Sequence, residues 1–143
     1  MSVQFFFLHE SFNLRKRKAL KSFIEFLFSN EQKVPGEISY VFCSDEFLLN
    51  VNRDFLNHDF YTDIITFDMS SNKKIINGDI YISIERVKEN AKKFSVSIDK
   101  ELHRVIFHGA LHLCNYKDKS NKDKIKMRSM EDKYMKMYFK CST

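Results

Sequence analysis

Glycine and proline are almost missing from this chain. Of 143 residues, three are glycine and one is proline. That excludes collagen-like and Pro/Gly-linker architectures and favours long regular elements with short connections. Cysteine is sparse too. Cys43, Cys114 and Cys141 are odd in number and form no CxxC pair. Neither a disulfide framework nor a Cys-rich zinc site is expected; three small, buried or half-buried thiols in a reducing cytoplasm are. No apolar run approaches the ~18 residues of a membrane span. The first residues, MSVQFFFLHE, lack a basic start and a small-residue cleavage site, so they read as a strand and not as a signal peptide.

What is present suits one ordinary core. Hydrophobic residues make up 43% and charged residues 30%, and phenylalanine alone contributes 15 side chains. Length and composition predict a single domain over residues 1–143. The formal net charge of +5 is unevenly spread. Residues 37–83 carry eight acidic and three basic side chains, whereas residues 115–143 carry four acidic and nine basic ones. Residues 11–36 are basic as well, with six basic and two acidic side chains. Basic flanks around an acidic middle suit contact with a polyanion backbone, although solvated Lys-rich helix faces look the same.

Periodicity orders the chain. Val3–Leu8 reads as a strand, and Ser11 as the cap of a helix in which Ala19, Leu20, Phe23, Ile24 and Leu27 recur at helical spacing. Pro35-Gly36 reads as a turn and Ile38–Cys43 as a second strand. Ser44 or Asp45 caps a short helix to about Phe55, with Phe47, Leu48 and Val51 inward, and a polar loop follows over Leu56–Tyr61. Ile64, Ile65 and Phe67 mark a third strand. Ile80, Ile82 and Ile84 alternate along a fourth, joined to the third as a hairpin through the polar Met69–Lys74 loop. Helices over about 84–94, 99–115 and 122–140 complete the chain. The last carries Met127, Met130, Tyr134, Met137 and Tyr138 as a core-facing stripe. The expected fold is α+β: a small mixed four-stranded sheet with a β-hairpin, packed with about five helices, and a site at the end of a central helix.

One segment carries chemistry: His108-Gly109-Ala110-Leu111-His112-Leu113-Cys114-Asn115-Tyr116-Lys117-Asp118. Side chains four apart leave the same face of a helix, so His108 and His112 have the geometry of two ligands to one metal ion. A catalytic zinc takes three protein ligands and keeps a position for water. Asn tolerates the positive φ that ends many helices. A stop at Asn115 therefore turns the chain back and lets Asp118 supply the third ligand. Metzincins use the same offsets, but zincins place a general-base Glu after the first His, where this chain has Gly109. Arg104 and Glu101 lie one and two turns before His108 on nearly the same face and border the site, or else form a surface salt bridge. His103 points to another face, and His9 and His58 stand alone.

These residues resemble the YbeY family of bacterial rRNA-maturation endoribonucleases, whose motif is H-G-x-L-H-L-x-G-Y-D-H. Tyr61-Thr62-Asp63-Ile64-Ile65-Thr66-Phe67 is similar to the family's P-T-D-V-L-S-F strand, Gly78-Asp79-Ile80 to its G-D-I strand, and Met130-Glu131 to its M-E pair. The resemblance implies one divalent metal, usually zinc, held by His108, His112 and Asp118, with Asp118 in the slot of a third His. Carboxylate ligation also makes Mn²⁺ or Fe²⁺ possible. It further implies a cytoplasmic, single-strand-specific endoribonuclease that acts in 16S rRNA 3′-end maturation and ribosome quality control. Its partners would be rRNA and ribosomal particles, with neither DNA nor membrane, and Arg104 would be a further catalytic candidate. Two more positions depart from the family: Asn115 stands for a helix-ending Gly, and Leu56 stands where the family has an Arg. Arg53, His58, Arg104 and Lys117 are the candidates to replace that Arg. Alternatives are a protease- or amidase-like hydrolase, a two-His-one-carboxylate iron oxygenase, and a non-enzymatic ribosome-binding factor with a structural metal.

Overall fold

The computed structural model describes residues 2–9 and 12–141. Nine elements follow in chain order: β1 (Ser2–Phe7), α1 (Arg17–Asn30), β2 (Val34–Cys43), α2 (Asp45–Leu56), β3 (Ile64–Asp68), β4 (Ile75–Ser83), α3 (Ile84–Lys93), α4 (Ile98–Leu113) and α5 (Asn121–Cys141). The four strands form one sheet in the order β1-β2-β4-β3. β1 and β4 both run parallel to β2, while β3 returns antiparallel along β4. This is the mixed sheet with a hairpin and five helices that the hydrophobic patterning implies.

Strand alternation divides the sheet into two faces. Ile38, Tyr40 and Phe42 of β2, with Ile76, Ile80 and Ile82 of β4, face the main core, which α1, α3, α4 and α5 complete. The opposite registers, Cys43 and Ile65, meet Leu48 and Val51 of α2 in a smaller cluster. Tyr40 spans the main core and donates from its hydroxyl to the Ile106 carbonyl at 2.9 Å, which satisfies its one buried polar atom. Phe23, Phe107 and Tyr138 pack ring to ring between α1, α4 and α5. No helix among the described residues is long and apolar enough to cross a membrane.

Four local expectations need correction. Ser11 lies outside the described residues, and α1 starts at Arg17 after Lys16, which sits in the left-handed region at φ 52° with no side-chain cap bond. Before it, Leu14 is buried in the core and its carbonyl accepts from Arg17 Nε. Pro35 and Gly36 do not turn the chain; they lie inside β2, beside the register shift between Pro35 and Ile38. β1 pairs only from Glu37 onward, so Pro35, which has no N–H to give, occupies a locally unpaired edge. Ile84 is not the end of β4 but the first residue of α3, because Ser83 caps that helix through its Oγ and the Arg86 N–H. Phe47 is not inward; it is exposed and stacks on Tyr81.

Helix α4 crosses the sheet at very close range. A Cβ placed on Gly109 would lie 2.9 Å from Ile64 Cδ1 and 2.9 Å from Ile80 Cγ2. Glycine is needed here for closeness and not for backbone freedom. Gly109→Ala is expected to lose about 1–3 kcal/mol of stability through overpacking. The urea midpoint of the variant against the parent measures it, and an unchanged midpoint would show that the helix sits further from the sheet.

Candidate metal centre and its cleft

α4 presents His108 and His112 on one face with ring centroids 4.5 Å apart. The helix ends in a double hydrogen-bonded reversal. Tyr116 N–H donates to the Leu111 carbonyl and Asn115 N–H to the His112 carbonyl, with Asn115 at φ 73°. The reversal carries Asp118 back over the helix end. Its Oδ2 lies 3.2 Å from His108 Nε2 and 3.2 Å from His112 Nε2. Ligand atoms of His108, His112 and Asp118 all fall within 4.8 Å of one another. The structure thus brings together the three residues that the spacing singles out.

The opposite nitrogens of both rings are tied down. His112 Nδ1 is 2.9 Å from the Tyr116 carbonyl oxygen, which has no proton and can only accept. His108 Nδ1 is 2.6 Å from Glu131 Oε2. Both Nδ1 atoms therefore carry a proton, and both Nε2 atoms face the Asp118 carboxylate. Burial and the neighbouring His108 hold His112 below the ordinary imidazole range. With both rings neutral, two nitrogen lone pairs and a carboxylate oxygen converge on one point and repel one another unless a cation lies between them. This donor set and these carbonyl and carboxylate partners are what a divalent metal site requires.

Behind His108 stands a buried charge network. Glu131 and Glu101 are both almost fully buried. Arg104 grips Glu101 with Nε at 3.1 Å and Nη2 at 2.6 Å, and Glu131 with Nη1 at 2.9 Å. Burial opposes the Glu131 charge, but His108 and Arg104 outweigh it and hold its carboxyl below the usual range. Burial likewise opposes the Arg104 charge, and the two glutamates outweigh it. Arg104 borders the site as expected, yet its guanidinium is spent on carboxylates and acts on His108 only through Glu131. The role of Glu131 is the part that residue spacing missed: it lies 23 positions beyond His108 on another helix, and only the M-E match pointed to it.

The cleft over this centre has a volume of about 630 Å³. The two imidazoles, Asp118, Arg104 and Lys119 line it together with Leu56, His58, Phe60 and Asp63. Burial raises the Asp63 carboxyl, and the charges of His108 and Arg104 partly offset this. Leu56 therefore does face the cleft. Arg53 does not line it and is instead bound to Asp59. Lys117 does not line it but lines an adjoining depression that shares His112, Asp118 and Lys119 with the cleft. Lys119, which the motif comparison did not flag, is the lysine on the cleft wall. His103 is buried against Tyr138, away from the triad, with its Nδ1 near the Asp99 carbonyl.

A family model described as Endoribonuclease YbeY matches residues 8–139. The chain belongs to the YbeY family. Relatives named Endoribonuclease YbeY include one from Cytophaga hutchinsonii, 50% identical over 90% of this chain and 90% of that protein. Another, from Flavobacterium psychrophilum, is 48% identical over 89% of this chain and 90% of the relative. A protein from Thermotoga maritima, solved in solution, superposes with a TM-score of 0.67 at 25% identity, covering 96% of this chain and 89% of the other. The YbeY helix motif thus sits in this chain on a helix, with its three motif positions gathered at one point.

Metal analysis of the purified protein checks the centre. His112→Ala and Asp118→Ala are expected to lose most bound divalent metal, and Asp118→His to retain it. Equal metal in all four proteins would place the ligands elsewhere. Glu131→Gln is expected to weaken metal affinity about 10–100-fold by releasing the His108 ring, the usual cost of losing such a partner. Competition with a chromogenic chelator reads that change directly.

Proposed function

We propose that this chain is a metal-dependent endoribonuclease that cleaves unpaired RNA in 16S rRNA 3′-end maturation and ribosome quality control, in the cytoplasm. The observation that carries the proposal is the convergence of both Nε2 lone pairs and the Asp118 carboxylate, each Nδ1 held from behind, at the floor of a cleft in a YbeY-family chain. His108, His112 and Asp118 would hold the metal, with zinc the first choice and Mn²⁺ or Fe²⁺ also suited to two imidazoles and a carboxylate. Such a metal supplies Lewis-acid stabilisation of charge developing on a phosphoryl oxygen.

The chain's own side chains do the rest. Glu131 and the Tyr116 carbonyl keep the Nδ1 protons in place, so the imidazoles cannot turn away from the cleft. Arg104 keeps the buried Glu131 ionised and is a positioning residue. Lys119 offers the cleft a mobile positive charge for a phosphate, the task that Leu56 cannot perform.

The protease or amidase reading loses ground for a geometric reason. A general-base Glu at position 109 has no room, since even a Cβ there meets Ile64 and Ile80 at 2.9 Å. The non-enzymatic reading retains one supporting feature, Leu56 at the arginine slot.

Incubation of a structured rRNA fragment with the protein, with and without a chelator, separates the two. Cleavage at unpaired positions that stops with chelator and returns with divalent metal is the expected result. Binding with no cleavage under any metal would establish the non-enzymatic factor. Lys119→Ala is expected to raise KM several-fold with little change in kcat, because a phosphate contact made equally in ground and transition states acts on binding. Affinity for RNA should also fall between ~50 and ~200 mM salt as phosphate contacts release counterions.

A further inference from the structure

More than one cavity reaches the metal centre. One is the 630 Å³ cleft, which Leu56, His58 and Phe60 also line. Another is a recess of about 240 Å³, which Phe94, Lys124 and Arg128 also line. Arg104, His108 and Asp118 line both, so they form a saddle between the two openings.

Each opening carries the same chemistry. In the cleft, Phe60 is 55% exposed and lies against His58 with ring centroids 5.2 Å apart and planes 22° apart. Lys119 stands on the same cleft lining. In the recess, Phe94 is 52% exposed, Lys93 Nζ sits 5.7 Å from its ring centroid, and Lys124 and Arg128 share the lining with Met127 and Glu131. Single exposed aromatics are common on protein surfaces. Two of them, each lining a cavity that also holds a lysine and that shares the same three residues, are a different matter. Aromatic faces next to cations are how proteins hold unpaired nucleic-acid strands: bases stack on the rings and phosphates meet the charges.

We infer that the saddle is the midpoint of a track for one continuous unpaired RNA strand, with a base stacked on Phe60 on one side of the metal centre and a base stacked on Phe94 on the other. This rests on the nuclease reading and deepens it. A strand held at both ends presents an internal phosphate to His108 and Asp118, which gives a structural reason for cutting within a chain and not from its end. A paired base has no free face for either ring, so the same track rejects duplex. Phe60 and Phe94 are then specificity-determining residues on opposite sides of the scissile position.

Fluorescence anisotropy with a labelled, unstructured oligoribonucleotide tests this, with chelator present so that the strand stays intact. Single abasic positions are stepped along the strand. Phe60→Ala and Phe94→Ala are each expected to weaken binding of the intact strand about fivefold or more, the usual loss for a stacking ring. Two separate abasic positions should weaken binding to the parent protein. Phe60→Ala should be indifferent to one of them and Phe94→Ala to the other. Phe60→Tyr and Phe94→Tyr should bind as the parent does. The inference is overturned if both alanine variants bind like the parent, or if both become indifferent to the same abasic position. Should the end-specific responses appear while the metal-loaded parent protein cleaves nothing, the track stands and the nuclease reading falls. Should cleavage persist while the alanine variants bind normally, the reverse holds.

Discussion

Everything at the cleft floor depends on one residue held at positive φ. Asn115 at φ 73° ends α4 and reverses the chain. A non-glycine residue in this region costs about 1 kcal/mol or more, less for Asn than for most. Two hydrogen bonds back to Leu111 and His112 offset that cost. The same reversal delivers two groups at once: the Tyr116 carbonyl that fixes the His112 tautomer, and the Asp118 carboxylate that faces both Nε2 atoms. The turn is also anchored from outside. Tyr116 donates its hydroxyl proton to Glu31 at the end of α1, and the same carboxylate accepts from Tyr134 of α5. Two elements distant in sequence, the end of α1 and α5, thus help hold a turn of four residues in place.

The second support is electrostatic. Burying Glu101, Glu131 and Arg104 together removes three charges from water, an arrangement that rarely gains net stability over an apolar core. Its return is orientation. One carboxylate oxygen of Glu131 is bound by Arg104 and the other by His108. The His108 ring is therefore set by a rigid fork that itself cannot rotate. Stability is exchanged here for a defined direction of one lone pair.

The sheet contributes by distance. Gly109 lets α4 lie against Ile64 and Ile80, which puts the metal-facing side of the helix beside the β3 end of the sheet and the loop after α2. The cleft exists because helix and loop stand on either side of that contact. The basic segment near the N-terminus plays no part in it. Arg15 and Lys16 line a different depression with Ile98 and Tyr138, whereas Lys119, Lys124 and Arg128 reach the centre. The overall charge of the flanks pointed to a polyanion; only the fold distinguishes which flank is near the chemistry.

The sequence by itself determined what rests on local periodicity and spacing. The strand and helix order, the hairpin, the His108–His112 pair and the return of Asp118 through an Asn stop are all set within a few residues of one another, by pitch and backbone preference. Tertiary structure decided what depends on neighbours. Pro35 looked like a turn because proline breaks ladders, and lies in a strand whose pairing to β1, among the described residues, starts only at Glu37. Ile84 fitted the alternation of β4, yet Ser83 capped a helix there. Gly109 read as a missing base, and proved to be the point where a helix meets the sheet so closely that even a Cβ forces Ile64 or Ile80 to shift. Glu131 reaches His108 from another helix, and Phe60 and Phe94 come from separate loops to two cavities that share Arg104, His108 and Asp118. No local pattern encodes such meetings, because they are fixed by how helices pack on a sheet and not by the pitch of any one of them.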